Sequence, residues 1–514
     1  MAFIGLAVGA LLVLLIPTFW RGFVHLIWRP YVITKALRKQ GVSGPGYRFW
    51  SGSNAEMLRM EKDASGLILE NHCHDISLKA AVYYRKWIAE YGETFLFWAG
   101  TEPRICMSDP EIVREVLTSK FGIFSKNDIP PAIVSLLGKG LIFVEGADWA
   151  KHRKVLSPAF AMDKLKLHTK TMAECVKEML EMWCRQVNQE HDQRKEIDVS
   201  EHFQELTADV ISLTSFGSSY REGKEVFEAQ KKLQFFAAST ILSLNIPGSN
   251  YIPTRRNVEK WKLDKTVRDK LTGIIQDRLD SKEFSGYGND LLGLMLESSQ
   301  NKDGLTLSMD EIIDECKTFF FAGQETTAHL LTWAMFLLST NKDWQEKLRE
   351  EVLQQCGMEI PNADMLGKLK LVNMVLLETL RLYCPVVQIG RKTNKDMTLG
   401  NLNLLKDTVV MIPILLIHRD KRLWGDDANE FNPLRFANGV LNAASQPNAL
   451  LAFSLGPRSC IGQNFSMLES KIVIAMILQR FSFSLSPKYK HAPMDVLTLQ
   501  PKFGLPIVLR PLHT

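Results

Sequence analysis

The chain has 514 residues, 46% of them hydrophobic and 23% charged, so it can bury a sizeable core and is neither disordered nor collagen-like. Its net charge of +5 is mild, and no concentrated basic patch with interleaved aromatics speaks for nucleic acid as a partner. Eight scattered cysteines, with no C-x-x-C pair, read as reduced thiols rather than a disulfide scaffold or a zinc motif.

Residues 1–20, MAFIGLAVGALLVLLIPTFW, carry no charge. As a helix they would rise about 30 Å, the thickness of a bilayer core. Arg21, Arg29, Lys35, Arg38 and Lys39 follow, and the first acidic residue is Glu56. That asymmetry puts the rest of the chain on the cytoplasmic side. A cleaved signal peptide would want a charged segment ahead of a shorter apolar run, which is missing. The expected organisation is a transmembrane anchor over 1–20, a basic flank and Gly/Pro hinge over 21–53, and one large domain over 54–514.

Strand-like runs lie at 94–98, 104–108 and 408–413, and 497–510 reads as a terminal hairpin. Apolar residues at i, i+3 and i+4 predict helices over 163–187, 201–216, 258–281, 308–339, 342–356 and 463–481. The fold class is therefore mainly α with a small β-sheet. In WAKHR, Trp149 and Arg153 share one helix face at i and i+4. The 308–339 helix opens on a capping box, Ser308 and Glu311, and is apolar on nearly every face after Lys317. Yet AGQETT, Ala322–Thr327, puts an acid and two threonines in its middle. Such threonines bond back to the i−4 carbonyl and bend the helix, and a buried Glu needs partners. In ETLR, Glu378 and Arg381 sit at i and i+3 within an apolar stretch. The same spacing at Glu56–Arg59, Glu111–Arg114 and Glu346–Arg349 reads as solvated helix pairs.

FSLGPRSCIG, 453–462, sets Cys460 in a Gly/Pro loop at the mouth of a helix, with Arg458 two residues before it. A helix N-terminus and a nearby guanidinium both lower a thiol's pKa, and glycines let backbone N–H groups approach the sulfur. That design suits a metal–thiolate bond or a catalytic nucleophile, and a buried structural cysteine is the plainer alternative.

The five residues Phe453, Gly456, Arg458, Cys460 and Gly462 match F-x-x-G-x-R-x-C-x-G, which resembles the haem-binding signature of the cytochrome P450 superfamily. AGQETT resembles that family's A-G-x-[DE]-T-T, ETLR its E-x-x-R, and FNPLRF, through Pro433, Arg435 and Phe436, its P-x-R-F. The motifs run in the family's order along most of the chain, and the hinge and C-terminal tail are similar to the plant clan that includes cytokinin hydroxylases, gibberellin-modifying enzymes and fatty-acid hydroxylases. The resemblance implies the P450 fold, a haem b cofactor and a monooxygenase reaction. It implies Cys460 as the iron ligand, with Phe453 and Gly462 around the sulfur. Trp149, Arg153, Arg391 and Arg458 would meet the haem propionates, Glu325 and Thr326 would deliver protons, and Glu378, Arg381 and Arg435 would form a structural triad. Leu434 and Cys384 depart from the family's Glu and Pro.

With no convincing dinucleotide fingerprint or fused flavin domain, electrons from NADPH would arrive through a separate NADPH–cytochrome reductase, with Lys151 and Lys154 as docking candidates. The implied setting is the endoplasmic reticulum membrane, single-pass, with the catalytic domain facing the cytosol. Substrate contacts would come from about 128–137, 235–245, 318–323, 385–390 and 500–506. Ile129, Ile133, Phe235, Phe236, Phe319, Val386, Val387 and Phe503 there imply an apolar substrate: a fatty acid, a terpenoid hormone or a prenylated cytokinin. The alternatives are a haem-thiolate isomerase or dehydratase that does not use O₂, and a membrane-anchored haem protein that only binds a ligand.

Overall fold

The computed structural model describes residues 16–120, 122–218, 220–242, 248–281, 286–300 and 306–512. Its axis is the helix Met309–Thr340. The capping box forms as expected: the Glu311 amide donates to Ser308 Oγ at 3.3 Å, and the Ser308 amide donates to Glu311 Oε2 at 2.7 Å. From Thr318 onward both sides of this helix are buried, and Leu330, Leu331, Trp333, Met335, Phe336 and Leu338 are essentially inaccessible. Each such side chain contributes about 1.5–3 kcal/mol of burial. The helices Val199–Phe216, Lys370–Leu382 and Gln463–Arg480 pack around it.

The helices expected from periodicity form within a few residues of their expected ends, as Met162–Asn188, Val199–Phe216, Arg255–Asp280, Lys342–Cys356 and Gln463–Arg480. A five-stranded sheet orders Phe95–Ala99, Glu102–Cys106, Val409–Ile412, Ile389–Thr393 and Phe124–Ser125. The terminal hairpin does not form. Leu499–Pro501 turns back on Pro493–Asp495, while Pro506–Pro511 is the middle strand between Lys195–Asp198 and Phe481–Leu485. Alternation alone cannot tell a strand paired to its neighbour from one paired to two distant segments.

Residues 1–15 of the expected anchor lie outside the described residues. Residues 16–23 are helical and expose Ile16, Phe19, Trp20 and Phe23. Among the described residues no helix is long and apolar enough to cross a membrane. The segment read as a hinge is stitched to the sheet: Ser43 bridges Phe95, Gly52 bridges Ala99, and Val42 is buried. Gly52 has φ +54°, and a Cβ there would run into the Gly100 and Trp98 carbonyls. The preceding helix Arg29–Arg38 also buries Ile33 and Leu37 against the body, so ordered packing starts before residue 54.

One of the three pairs read as solvated is not. Glu346 is exposed, but Arg349 is buried, and its guanidinium donates to the Leu478 and Phe481 carbonyls at 3.1 and 2.9 Å. It pins the helix Lys342–Cys356 to the end of Gln463–Arg480.

Three buried histidines tie segments together in the neutral form. His418 Nδ1 donates to the Arg381 carbonyl at 3.1 Å, and its Nε2 accepts the Leu451 amide at 2.8 Å, so a second proton would break that bond. Burial, with Arg381 and Arg419 nearby, lowers His418 to about 3 and His74 to about 4, and burial with His74 beside it lowers His491 to about 3. Each folded value lies below the unfolded one, so the unfolded chain binds more protons in between. Stability is complete above about pH 6.5 and lost as pH falls toward about 4. Glu61 and Asp495, raised to about 6 and about 7 by desolvation, oppose this trend. The expected result in urea unfolding is therefore a difference: His418→Gln is less stable than the parent at neutral pH and loses less on acidification. Parallel pH profiles would refute it.

Candidate active site

The loop before Gln463–Arg480 is built by local constraints. Gly456 has φ +71°, and a Cβ there would collide with the Leu117 carbonyl oxygen, so only glycine fits. Gly456–Arg458 makes one 3₁₀ turn, and the Cys460 amide then donates to the Phe453 carbonyl at 2.9 Å. Arg153 reaches across from the helix Gly146–Leu156 and donates to the Ser459 carbonyl at 3.1 Å. Gly462 has an ordinary φ of −88° and caps the next helix without a side-chain bond. A Cβ at Gly462 would lie 4.0 Å from the Cys460 sulfur. Its value is therefore to leave the sulfur's surroundings open, not to permit a strained turn.

Cys460 lies deep in the protein, yet its side chain is exposed to a cavity of about 190 Å³. Phe453, Phe160, Phe319, Phe465, Leu141 and Ile211 supply apolar walls. Burial pushes the Cys460 thiol up, against the Gly462 and Gln463 amides and the Arg153 guanidinium, which pull it down. The expected lowering is thus reversed, because the loop gives less than desolvation takes. The cation the sulfur feels is Arg153; Arg458 is engaged elsewhere. A metal cation at the sulfur would displace the thiol proton on binding.

Cations gather at one end of this cavity. Arg458 Nη2 contacts Glu145 Oε2 at 2.6 Å, the guanidinium lies 5.1 Å from the centre of the Trp149 ring, and its Nη1 is buried without a partner among the described residues. Arg391 is buried, and among the described residues its guanidinium donates only to the adjacent Gly390 carbonyl. Burial and Arg458 lower Arg391 to about 10. Burial, with Arg391 and Arg458 close by, pushes Lys126 well below its usual range. Lys126, Arg391 and Arg458 surround an adjoining small cavity with Glu145 as the one carboxylate among its lining residues. Such an excess of buried cations is costly until anions join it. A flat apolar ligand with carboxylates at one edge and a metal to offer the thiol suits this cavity, and haem has that chemistry.

Above the sulfur, Ala322, Gly323, Thr326 and Thr327 line the same cavity. Thr326 Oγ1 donates to the Ala322 carbonyl at 2.8 Å, the expected i−4 bond. Glu325 faces away. Its Oε1 accepts from Gln234 Nε2 at 2.7 Å and Thr498 Oγ1 at 3.0 Å, and lies 3.0 Å from His329 Nε2. Burial alone would raise this carboxyl, but His329 and the hydrogen-bond donors hold it down at about 2. It sits in a separate polar cleft of about 290 Å³, with Glu201, Gln204, Glu228 and Lys231. The acid and the alcohol are neighbours in sequence that open onto different spaces.

The triad assembles, with Glu378 and Arg381 fully buried and Arg435 at its partly buried edge. Arg381 donates to both Glu378 oxygens at 2.7 Å, and Arg435 Nε lies 3.5 Å from Glu378 Oε1. Leu434 is exposed and outside it. Of the apolar residues expected at the substrate, Phe319 reaches the sulfur's cavity, Ile129 lines a cleft beside the sheet, and Phe235 and Phe503 are exposed. Lys151 is bound to Glu311 at 2.7 Å and so is not a free docking cation; Lys154 is exposed. Lys126, Glu145, Gln234 and Thr498 carry no sequence signal, standing without periodicity or motif, whereas His329 follows Glu325 at i+4 on the long helix, a spacing that could have found it.

The sequence model of the family Cytochrome P450 matches residues 70–508. The chain is 48% identical to Cytochrome P450 709B1 of Arabidopsis thaliana, over 99% of both chains. It is 42% identical to Cytochrome P450 734A6 of Oryza sativa subsp. japonica, over 95% of this chain and 92% of that one. It is 40% identical to Secologanin synthase 1 of Catharanthus roseus, over 96% and 95%.

Proposed function

The chain belongs to the plant cytochrome P450 family of monooxygenases, and from that premise we propose that it hydroxylates an apolar small molecule using O₂ and electrons from NADPH. The observation that carries this reading is the pairing across one cavity of a deep-set thiol, Cys460, with the Thr326 hydroxyl, between apolar walls and beside unbalanced cations. Cys460 would hold the iron of haem b, and Lys126, Arg391 and Arg458 would meet its carboxylates, with Arg153 and Trp149 beside them. Bound haem supplies oxygen activation, and thiolate ligation favours O–O cleavage, as is established for this family. The chain's own residues position and exclude. Phe319 and Phe453 keep water from the cavity, and Thr326 holds a hydroxyl ready to pass a proton into it. Glu325 is the ionised group on the opposite side of the same helix turn, held by Gln234, Thr498 and His329.

The family implies a reductase partner, for which we propose an NADPH–cytochrome reductase in the same membrane. Residues 1–20 would anchor the chain in the endoplasmic reticulum, with the exposed Phe19, Trp20 and Phe23 at the bilayer surface. Thr326 in the cavity favours oxygen chemistry over the isomerase and ligand-binding alternatives.

The test is a spectral titration of the microsomal protein with a medium-chain fatty acid, an isopentenyl cytokinin and a gibberellin precursor. A low-to-high-spin Soret shift with one of them, followed by product formation with reductase and NADPH, supports the reading. Product formed without O₂ would overturn it. With a substrate in hand, Thr326→Ala is expected to keep NADPH consumption while product falls by about a hundredfold, the low end of what positioned proton transfer supplies. Only its bond to the Ala322 carbonyl is lost, so the helix stands. Unchanged product per NADPH would remove Thr326 from proton delivery.

A further inference from the structure

Two faces of the cavity belong to different elements: the helix Gly146–Leu156, carrying Trp149 and Arg153, and the helix Met309–Thr340, carrying Thr326. Between them lies His152, which has no accessible surface. Its Nδ1 contacts Glu315 Oε1, and its Nε2 lies 3.2 Å from Glu311 Oε1. Both carboxylates are on the long helix. A neutral imidazole has one N–H and could satisfy one of them; an imidazolium satisfies both. Lys151 completes the cluster at 2.7 Å from Glu311, so two cations face two anions.

The His152–Glu315 end of the cluster is sealed, while Glu311 and Lys151 keep some contact with solvent. Glu315 is fully buried, and among the described residues its Oε2 has no partner. Gly140 lies against it so closely that a Cβ would stand 2.7 Å from Oε2. Of the other titratable groups, Lys139, Asp148, Lys154 and Glu297 are exposed, Glu145 is engaged with Arg458, and half-buried Asp314 and buried Cys316, the latter raised by burial and by Glu315, flank Glu315 on the long helix. Burial alone would lower the His152 pKa, but Glu315 and Glu311 raise it on balance, while Lys151 helps hold Glu311 at about 2.

We propose that His152, as an imidazolium clamped between Glu311 and Glu315, is the positioning residue that sets the helix of Trp149 and Arg153 against the long helix and thereby retains haem in the cavity. The inference rests on the haem reading above. It gives His152 no contact with cofactor or substrate; it acts through Arg153 and Trp149. A raised histidine holds its clamp below its folded pKa and loses it as pH rises through that value.

The experiment is haem transfer from the purified holoprotein to excess apomyoglobin, from about pH 6 to about pH 9, a window bracketing the imidazole range. The parent should release haem slowly, and faster as pH rises. His152→Gln should release it about ten- to a hundredfold faster at low pH, the range typical of outer partners, and should show no step. Glu315→Gln, which keeps size and one acceptor, should move the step to lower pH. A His152→Gln profile parallel to the parent's overturns the proposal. If that variant does not fold, an unshifted step in Glu315→Gln overturns it instead. A parent lacking the red-shifted Soret of a thiolate-ligated carbon monoxide complex overturns the haem reading itself, and this inference with it.

Discussion

Cys460→Ser is expected to abolish the red-shifted Soret band of the reduced carbon monoxide complex, and turnover with it, while leaving the fold in place. The sulfur accepts from the Gly462 and Gln463 amides, bonds that a serine oxygen can keep, and the turn is otherwise held by the Cys460 amide, by Gly456 and by Arg153 on the Ser459 carbonyl. Serine can occupy the position without disturbing those bonds. What it cannot do is supply a soft anionic ligand. No second thiol and no imidazole is among the described residues lining the cavity, so nothing there can replace the sulfur. Lys126 lines it too, but belongs to the cation cluster with Arg391 and Arg458. Circular dichroism and the carbon monoxide difference spectrum measure the two halves separately. A folded variant with an unchanged red-shifted band would mean that another residue holds the iron.

What the sequence made legible was local. The cysteine loop, the capping box and the back-bonded Thr326 each depend on residues within a few positions, so spacing carries them. The long helix was legible because burial on all faces leaves no polar stripe to confuse with solvent. What stayed hidden was whatever depends on chain segments far apart. Lys126 joins Arg391 and Arg458 only because Phe124–Ser125 pairs with Ile389–Thr393. Glu325 was legible as an acid but not its direction, since Gln234 and Thr498 come from a helix and a turn distant in sequence. Arg349 carries the spacing of a surface ion pair and is buried by the end of another helix. The sign of the Cys460 shift failed for a related reason: a motif shows which dipoles are near a sulfur, while the depth of burial is a property of the whole fold.

Glu378→Ala carries the largest expected loss of stability. Arg381 has no accessible surface and makes a bidentate pair with Glu378. Removing the carboxylate strands the guanidinium in the core, at about 3–5 kcal/mol, against a typical total of about 5–15 kcal/mol. The Asn432 amide, which donates to Glu378 Oε1 at 2.9 Å, loses its acceptor as well. Replacing both members of a buried pair by apolar residues is often neutral, but that escape is closed here. Arg381 also donates to the carbonyls of His418, Ala428 and Glu430. A Glu378→Leu/Arg381→Leu double variant would leave those three acceptors unpaired, each a penalty of about 1–3 kcal/mol. The double variant is therefore expected to be no more stable than Glu378→Ala. Arg435→Ala should lose least, because Arg435 stands 3.5 Å from Glu378 and its closer carboxylate, Asp427, is exposed enough for water to take over. Urea unfolding of the three variants gives the order directly. A double variant that recovers the parent's midpoint would show that the pair is replaceable packing, and that the carbonyls around Arg381 find other donors.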